Sequence, residues 1–348
     1  MMKKVAVIGH LGGGFECLDG QTVKTKIVTA ELCTSLGEDE VLQYDTHGRI
    51  KMLLLAPFIA FGALKKAKNV VMLPAHNGLR VFAPLLALFR PLFKGRKLHY
   101  AVIGGWLADF VKNKKCLKRA LRKFDGIYVE TSTMKNALAK QGFSNVSVMP
   151  NCKKLTALSK TELVYHSEEP YKLCTFSRVS KEKGIEDAVN AVKKVNDSFG
   201  RVVYTLDIYG QVDTLQTEWF DRLKSEFPPY ISYGGLVPFD KSVEIIKNYY
   251  ALLFPTHYFT EGIPGTVIDA YAAGVPVISA RWESFSDIID EGVTGIGYEL
   301  GSPDGLTDRL LRIAENPDTL NSMKESCLNY AERFLPETAV KILIREFY

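Results

Sequence analysis

Short apolar runs and amphipathic stretches alternate along the whole chain. In the first half, the runs predict strands at 4–8, 40–44, 70–73, 98–103, 126–129 and 146–148. Pro150 and Asn151 break the pattern, and 153–170 is polar. Alternation resumes at Tyr171, with strands expected at 206–210, 230–237 and 250–254 and helices from Ile185, over 241–250 and over 266–273. Strands alternating with helices predict parallel sheets covered on both faces, and 348 residues suit two domains. The boundaries expected are 1–152, 153–335 and a closing amphipathic helix, 336–348, introduced by Pro336.

The densest chemistry lies in 254–278, FPTHYFTEGIPGTVIDAYAAGVPVI. Pro255 ends a buried strand, so the next segment is a loop at a strand's carboxyl end, where open α/β sheets bind ligands. Glu261 sits on that loop. Gly262 and Gly265 allow close backbone approach, with Ile263 and Pro264 between them. Thr266 opens a helix whose first N–H groups suit phosphate oxygens. Asp269, eight positions after Glu261, is expected near the first turn of that helix. Two carboxylates at two depths match the hydroxyls of a ribose and of a second sugar. A solvated loop acid and a helix-terminal charge are the plainer reading of the same pair.

Upstream, 173–191 (LCTFSRVSKEKGIEDAVNA) is a strand giving way to Ser177 and Arg178, then Lys183-Gly184, then an amphipathic helix. The two segments together resemble retaining GT-B glycosyltransferases of the family 4 type, known as glycosyl transferases group 1. In that family Arg and Lys clamp the donor diphosphate, which implies those roles for Arg178 and Lys183, with Ser177 replacing the usual Gly and Asp269 the usual second Glu. Cations suit a leaving diphosphate, whose negative charge grows in the transition state. The resemblance extends to LDIYG, ending in Gly210, and to YISYGGLV, where Leu236 and Val237 stand where family members read the base; apolar packing explains those two equally well. It implies an α/β GT-B fold, two Rossmann-like lobes with parallel sheets facing across a cleft, the last helix crossing back to the first lobe.

In the first lobe Gly12, Gly13 and Gly14 follow the first strand and resemble the family's first glycine loop, with Gly13 and Gly14 as donor contacts. Gly-x-Gly-x-x-Gly spacing is missing, because Cys17 stands at the third glycine's place. No acid about twenty residues on marks a strand end, and no Tyr-x-x-x-Lys pair occurs. The dehydrogenase and epimerase readings are therefore weak. After the fourth strand, where family members carry a His, this chain has Gly104-Gly105-Trp106-Leu107-Ala108-Asp109. Asp109 is the substitute catalytic candidate beside Arg178, Lys183 and Glu261, although a helix-start acid explains it as well. His76, Asn77, Gly105 and Trp106 are the acceptor-side candidates.

No Asp-x-Asp is present to hold a divalent ion, so no metal and no cofactor is expected, the nucleotide sugar being a substrate. The resemblance implies retention at the anomeric carbon, the departing phosphate oxygen helping to deprotonate the acceptor. A UDP-sugar donor, a hexosyl group and a saccharide acceptor on a lipid diphosphate are expected, as in capsule, exopolysaccharide and O-antigen assembly. A degenerate, non-catalytic scaffold is the remaining alternative.

Charge separates the halves. Residues 1–150 hold 23 Lys and Arg against 10 Asp and Glu, the remainder 21 against 29. The basic residues cluster at 65–68, 90–97 and 112–123, beside apolar stretches at 52–64 and 81–89. Those stretches are shorter than the roughly 20 residues that span a bilayer. Two readings remain: buried core helices, or interfacial segments on an anionic membrane. The latter predicts a cytoplasmic enzyme peripheral at the inner face of the cell membrane. Nucleic acid is excluded as a partner, since no recognised module appears and the aromatics are not interleaved with the charges. The six scattered cysteines imply neither a zinc site nor a disulfide framework, and the glycine-broken apolar start reads as a first strand rather than a signal peptide.

Overall fold

The computed structural model describes residues 2–13, 20–47, 50–302 and 304–348. The chain forms two compact units: one runs to Lys154 and takes in Arg333–Tyr348, the other is Leu155–Glu332.

The first unit is built on β1 (Lys3–Gly9), β2 (Val41–Asp45), β3 (Ala67–Met72), β4 (Lys97–Ala101), β5 (Gly126–Val129) and β6 (Val146–Val148). They form one sheet in the order β2-β1-β3-β4-β5-β6, and all its pairings are parallel. Alternate residues go to opposite faces, and both faces are buried. Ala6, Ile8, Val70, Met72, Leu98 and Tyr100 pack on one side with Ala56, Ala60 and Leu64 of helix Ile50–Lys66 and Leu79, Phe82 and Leu86 of helix His76–Phe89. Val5, Val7, Val71 and Ala101 pack on the other with Val28 and Leu32 of helix Gly20–Leu36. Ala339, Val340 and Leu343 of the last helix, Pro336–Arg345, complete that second layer. Continuous apolar strands are what burial on both faces requires.

The second unit repeats the plan with β7 (Tyr171–Phe176), β8 (Tyr204–Tyr209), β9 (Ile231–Gly235), β10 (Ala251–Phe254), β11 (Val277–Arg281) and β12 (Gly295–Glu299), parallel and ordered β12-β11-β10-β7-β8-β9. Helix Ile185–Phe199 buries Ile185, Ala188, Val189, Val192 and Val195, one stripe at helical spacing. From β7 the chain moves outward through β8 and β9, then returns to the other side of β7 as β10. The carboxyl ends of β7 and β10 therefore flank the point where strand order reverses, the crevice in which open α/β sheets bind ligands.

The helix expected over 241–250 is short, Ser242–Ile246. Tyr250 N donates to Lys172 O at 2.7 Å, so the chain has already joined the sheet, and Tyr249 is drawn off by a 2.8 Å bond from its hydroxyl to Asp207 Oδ2. No helix among the described residues is long and apolar enough to cross a membrane.

Candidate functional site

The loops leaving β7, β8 and β10 are held together by two backbone contacts that only glycine permits. Gly210 (φ 135°) approaches Ser177 so closely that a Cβ there would lie 1.8 Å from Ser177 O, and Ser177 N donates to Tyr209 O at 3.1 Å. Gly184 (φ 68°) bears on the β10 loop in the same way, its absent Cβ falling 1.8 Å from Pro255 O. The backbone His257 N donates to Glu182 O at 2.8 Å and fixes the same junction.

That junction sets Lys183, next to Gly184, against Glu261. The Lys183 ammonium pairs with Glu261 Oε1, and Thr256 Oγ1 donates to the same oxygen at 3.2 Å. Lys183 and Glu261 are 20% and 17% exposed, so the pair is reachable from solvent. Lys183 Nζ also lies 5.0 Å from the centre of the Tyr258 ring and 5.4 Å from that of Phe254, within cation–π range. Arg178 is more open, its guanidinium 3.8 Å from Asp213.

Past this pair, Gly262 and Ile263 are buried and Pro264 caps helix Gly265–Ala272. The helix has no side-chain cap and no acid in its first turn, so the partial positive charge of its N-terminus is not offset there. The Thr266 hydroxyl is buried without a hydrogen-bond partner. Asp269 corrects the expectation of a first-turn carboxylate. The helix begins at Gly265, which puts Asp269 in the second turn, 2% exposed and packed inside. On β9's carboxyl side Leu236 is 60% exposed and Val237 half-buried, and the strand end is tied to the β8 loop by Gly235, whose carbonyl accepts from Gly210 N at 2.9 Å, and by the Tyr233 hydroxyl, which donates to Gly210 O at 2.8 Å.

The first unit carries the remaining candidates. Gly13 N donates to Asp45 Oδ2 at 2.7 Å, and Leu11 N and His47 N donate to Asp45 Oδ1 at 2.9 and 2.8 Å. Burial would raise the Asp45 pKa, but these three donors, helped by His10, outweigh it and hold the carboxyl below its ordinary range. The His47 ring lies beneath Gly13 and bonds His10, Nδ1 to Nε2, at 3.1 Å. Gly14 lies outside the described residues. An acid does end β2, contrary to the expectation from spacing, yet its oxygens bind the glycine loop's own backbone, where a dinucleotide fold would offer them to a ribose.

His76 stacks on Trp106, ring centres 3.8 Å apart, and Trp106 Nε1 donates to Ile103 O at 2.6 Å. Phe110 stands edge-on to both rings. Burial, then the charges of Arg80 and Lys114, lower the His76 pKa, which favours the neutral ring. Asn77 is exposed beside it, and Gly105 half-buried. Asp109 lies exposed in the short helix Leu107–Val111. Beneath the Gly104–Trp106 loop is a fully buried ion pair that no pattern announced. Lys24 Nζ bonds Glu130 Oε1 at 2.6 Å and Val102 O at 3.1 Å, and Glu130 Oε1 accepts from Gly104 N at 3.0 Å.

Sequence reasoning also missed Thr256, Asp213 and Asp45. Asp45 ends β2, and Thr256 and Asp213 lie two and four residues past the ends of β10 and β8, positions legible only once the strand ends are known.

Two six-stranded parallel α/β units, the second with a cation–carboxylate pair at its switch point, define the class: the chain has the GT-B fold. Residues 170–316 match the model of the family glycosyl transferases group 1. A glycosyltransferase of Methanocaldococcus jannaschii, itself uncharacterized, is 22% identical over 246 residues, 67% of this chain and 60% of that protein. The amylovoran biosynthesis glycosyltransferase of Erwinia amylovora is 24% identical over 152 residues, 42% of this chain and 37% of that one. The chain thus spans less than two thirds of the curated relatives it matches. Among solved structures, HepE of Anabaena in complex with UDP superposes with a TM-score of 0.74 at 12% identity over 98% of each chain. The lipopolysaccharide outer core galactosyltransferase WaaB gives 0.74 at 18% identity over 99% of each.

Proposed function

We propose that the chain is a glycosyltransferase that takes a hexosyl group from a nucleotide sugar, a UDP-sugar in the first instance, and transfers it to a saccharide acceptor with retention. The observation that carries this reading is the Lys183–Glu261 pair at the β7/β10 switch point, beside an uncapped helix N-terminus. Diphosphate oxygens suit Lys183, Arg178 and the helix N–H groups, and sugar hydroxyls suit Glu261 once Lys183 turns to the phosphates. Ser177, Gly210, Leu236, Val237, the 262–266 loop and Asp269 complete the proposed donor contacts.

Charge building on the leaving diphosphate would be met by Arg178 and Lys183, which makes a metal unnecessary. The departing phosphate oxygen would take the acceptor's proton as the new glycosidic bond forms. His76, Asn77, Gly105 and Trp106, with Asp109, are the proposed acceptor-side groups. We take the acceptor to be a saccharide on a lipid diphosphate and the setting to be cell-surface polysaccharide assembly at the inner face of the membrane. A relative named for amylovoran biosynthesis supports the polysaccharide setting, and a UDP-bound neighbour supports the choice of donor.

The test is release of nucleotide from UDP-hexoses, with and without lipid-linked acceptors, in the presence of a chelator. Turnover that survives chelation and falls in Arg178→Ala supports the reading. Failure to turn over any donor would leave a non-catalytic scaffold.

A further inference from the structure

Helix Ile50–Lys66 turns three alanines and Leu64 inward and four of its large apolar side chains outward. Ala56, Ala60, Ala63 and Leu64 are fully buried, whereas Leu54, Leu55, Phe58 and Phe61 are 73%, 48%, 76% and 42% exposed. At about 100° per residue the exposed four fill an arc of about 120°, and the buried four lie opposite. A helix that served only the core would bury its largest apolar groups. Phe61 stands edge-on to Phe89 and Phe93, ring centres 6.0 and 5.0 Å away, which sets the exposed Leu88 and Leu92 beside the stripe.

Positive charge frames this surface. Lys65 falls within the same arc one turn on, and Lys66 is exposed next to it. Arg96 Nε donates to Leu64 O at 3.0 Å, joining the helix end to a recess of about 460 Å³. Four cations line that recess, Arg90, Lys94, Arg96 and Lys97, against one carboxylate, Asp125.

We propose that this face docks on an anionic bilayer, with Leu54, Phe58, Leu88 and Leu92 entering the acyl boundary and Lys65, Lys66 and the basic recess meeting lipid phosphates. The inference rests on the membrane-surface reading above and specifies its partner face. It places contact on this face and away from the 112–123 basic run, where Leu117 and Leu121 are buried and no large apolar side chain among the described residues is exposed. An apolar stripe bordered by cations suits an anionic surface. A second copy of the chain would bring like charges together.

Cosedimentation with vesicles of phosphatidylglycerol and phosphatidylcholine tests this, beside vesicles of phosphatidylcholine alone. Wild type should bind the anionic vesicles only, less as salt rises. Phe58→Glu with Leu92→Glu, at sites 76% and 69% exposed, should lower the bound fraction at least tenfold with an unchanged melting temperature. Lys115→Glu with Arg119→Glu should stay within twofold of wild type. Wild type left in the supernatant, a Phe58/Leu92 variant that binds normally, loss confined to the Lys115/Arg119 variant, or a dimer split by the Phe58/Leu92 change would each overturn the proposal. Stabilisation by UDP, measured on the same proteins, reports the donor site separately: its absence from wild type counts against the transferase reading whatever the vesicles show.

Discussion

Replacing Gly184 by Ala should abolish the donor site while leaving the protein folded. The Cβ would lie 1.8 Å from Pro255 O, and ordinary van der Waals contact begins at 3.4 Å, so the β7 and β10 loops must separate by about 1.6 Å. A hydrogen-bonded ion pair at normal separation does not survive such a shift, and Lys183, the preceding residue, would leave Glu261. An L-residue at φ 68° adds about 1–2 kcal/mol. Together these predict a melting temperature lower by several degrees, at about 2–4 °C per kcal/mol for a unit of this size, and loss of stabilisation by nucleotide. Gly200→Ala is the control. It has φ 64° with nothing within 4 Å of the new Cβ, so it should carry the conformational cost alone and keep its nucleotide response. Scanning fluorimetry with and without nucleotide reads both effects. If Gly184→Ala responds to nucleotide as wild type does, the coupling of loop packing to the Lys183–Glu261 pair is wrong.

Arg178→Ala and Lys183→Ala should each lower turnover at least 100-fold, about 2.7 kcal/mol of transition-state stabilisation, and steady-state kinetics matching wild type would refute their assignment. Glu261→Gln should impair transfer and leave the circular dichroism spectrum and folding unchanged. His99, buried between Tyr128 and Asn69, has its pKa lowered to about 4, chiefly by burial. The unfolded chain therefore takes up this proton first, so the stability contributed is complete above about pH 6.5 and is lost as pH falls toward 4, roughly 3 kcal/mol in all; melting curves against pH should show the loss, and His99→Gln should blunt it. Lys324 is 1% exposed, with its pKa lowered to about 8 by burial and only a 3.5 Å contact to Tyr249 O. Lys324→Met should raise the melting temperature at pH 7, because it removes a poorly solvated charge at similar volume.

The parallel architecture was legible because strands buried on both faces must be continuously apolar: β5 and β6 fall on the residues expected. Elsewhere the limits move by one to three residues. β3 starts at Ala67 although Lys68 is exposed, a charge that apolar patterning reads as a break. The helix over 241–250 failed because Tyr249 and Tyr250 fit an amphipathic pattern while making sheet and hydroxyl bonds. At the site, the strand-end loop brought Glu261 forward and the family resemblance brought Lys183 forward as candidates, but their direct pairing depends on the Gly184–Pro255 approach, which spans loops 71 residues apart. Asp45 and Glu130 were invisible as positioning groups: the Asp45 oxygens bind backbone N–H groups, and Glu130 binds Gly104 N–H and the Lys24 ammonium 106 residues away, none of which has a sequence signature. The stretch over 52–64 was ambiguous for a related reason: periodicity locates two faces and does not say which is buried.

Thermal stabilisation of the purified protein by UDP, GDP, ADP and their common sugar conjugates tests the central claim most directly, with Lys183→Ala and Glu261→Ala measured alongside. The account predicts a selective shift with one nucleotide, UDP first, that shrinks in both variants. No shift with any nucleotide at millimolar concentration, or one that both variants keep in full, would contradict a donor site at the β7/β10 switch point.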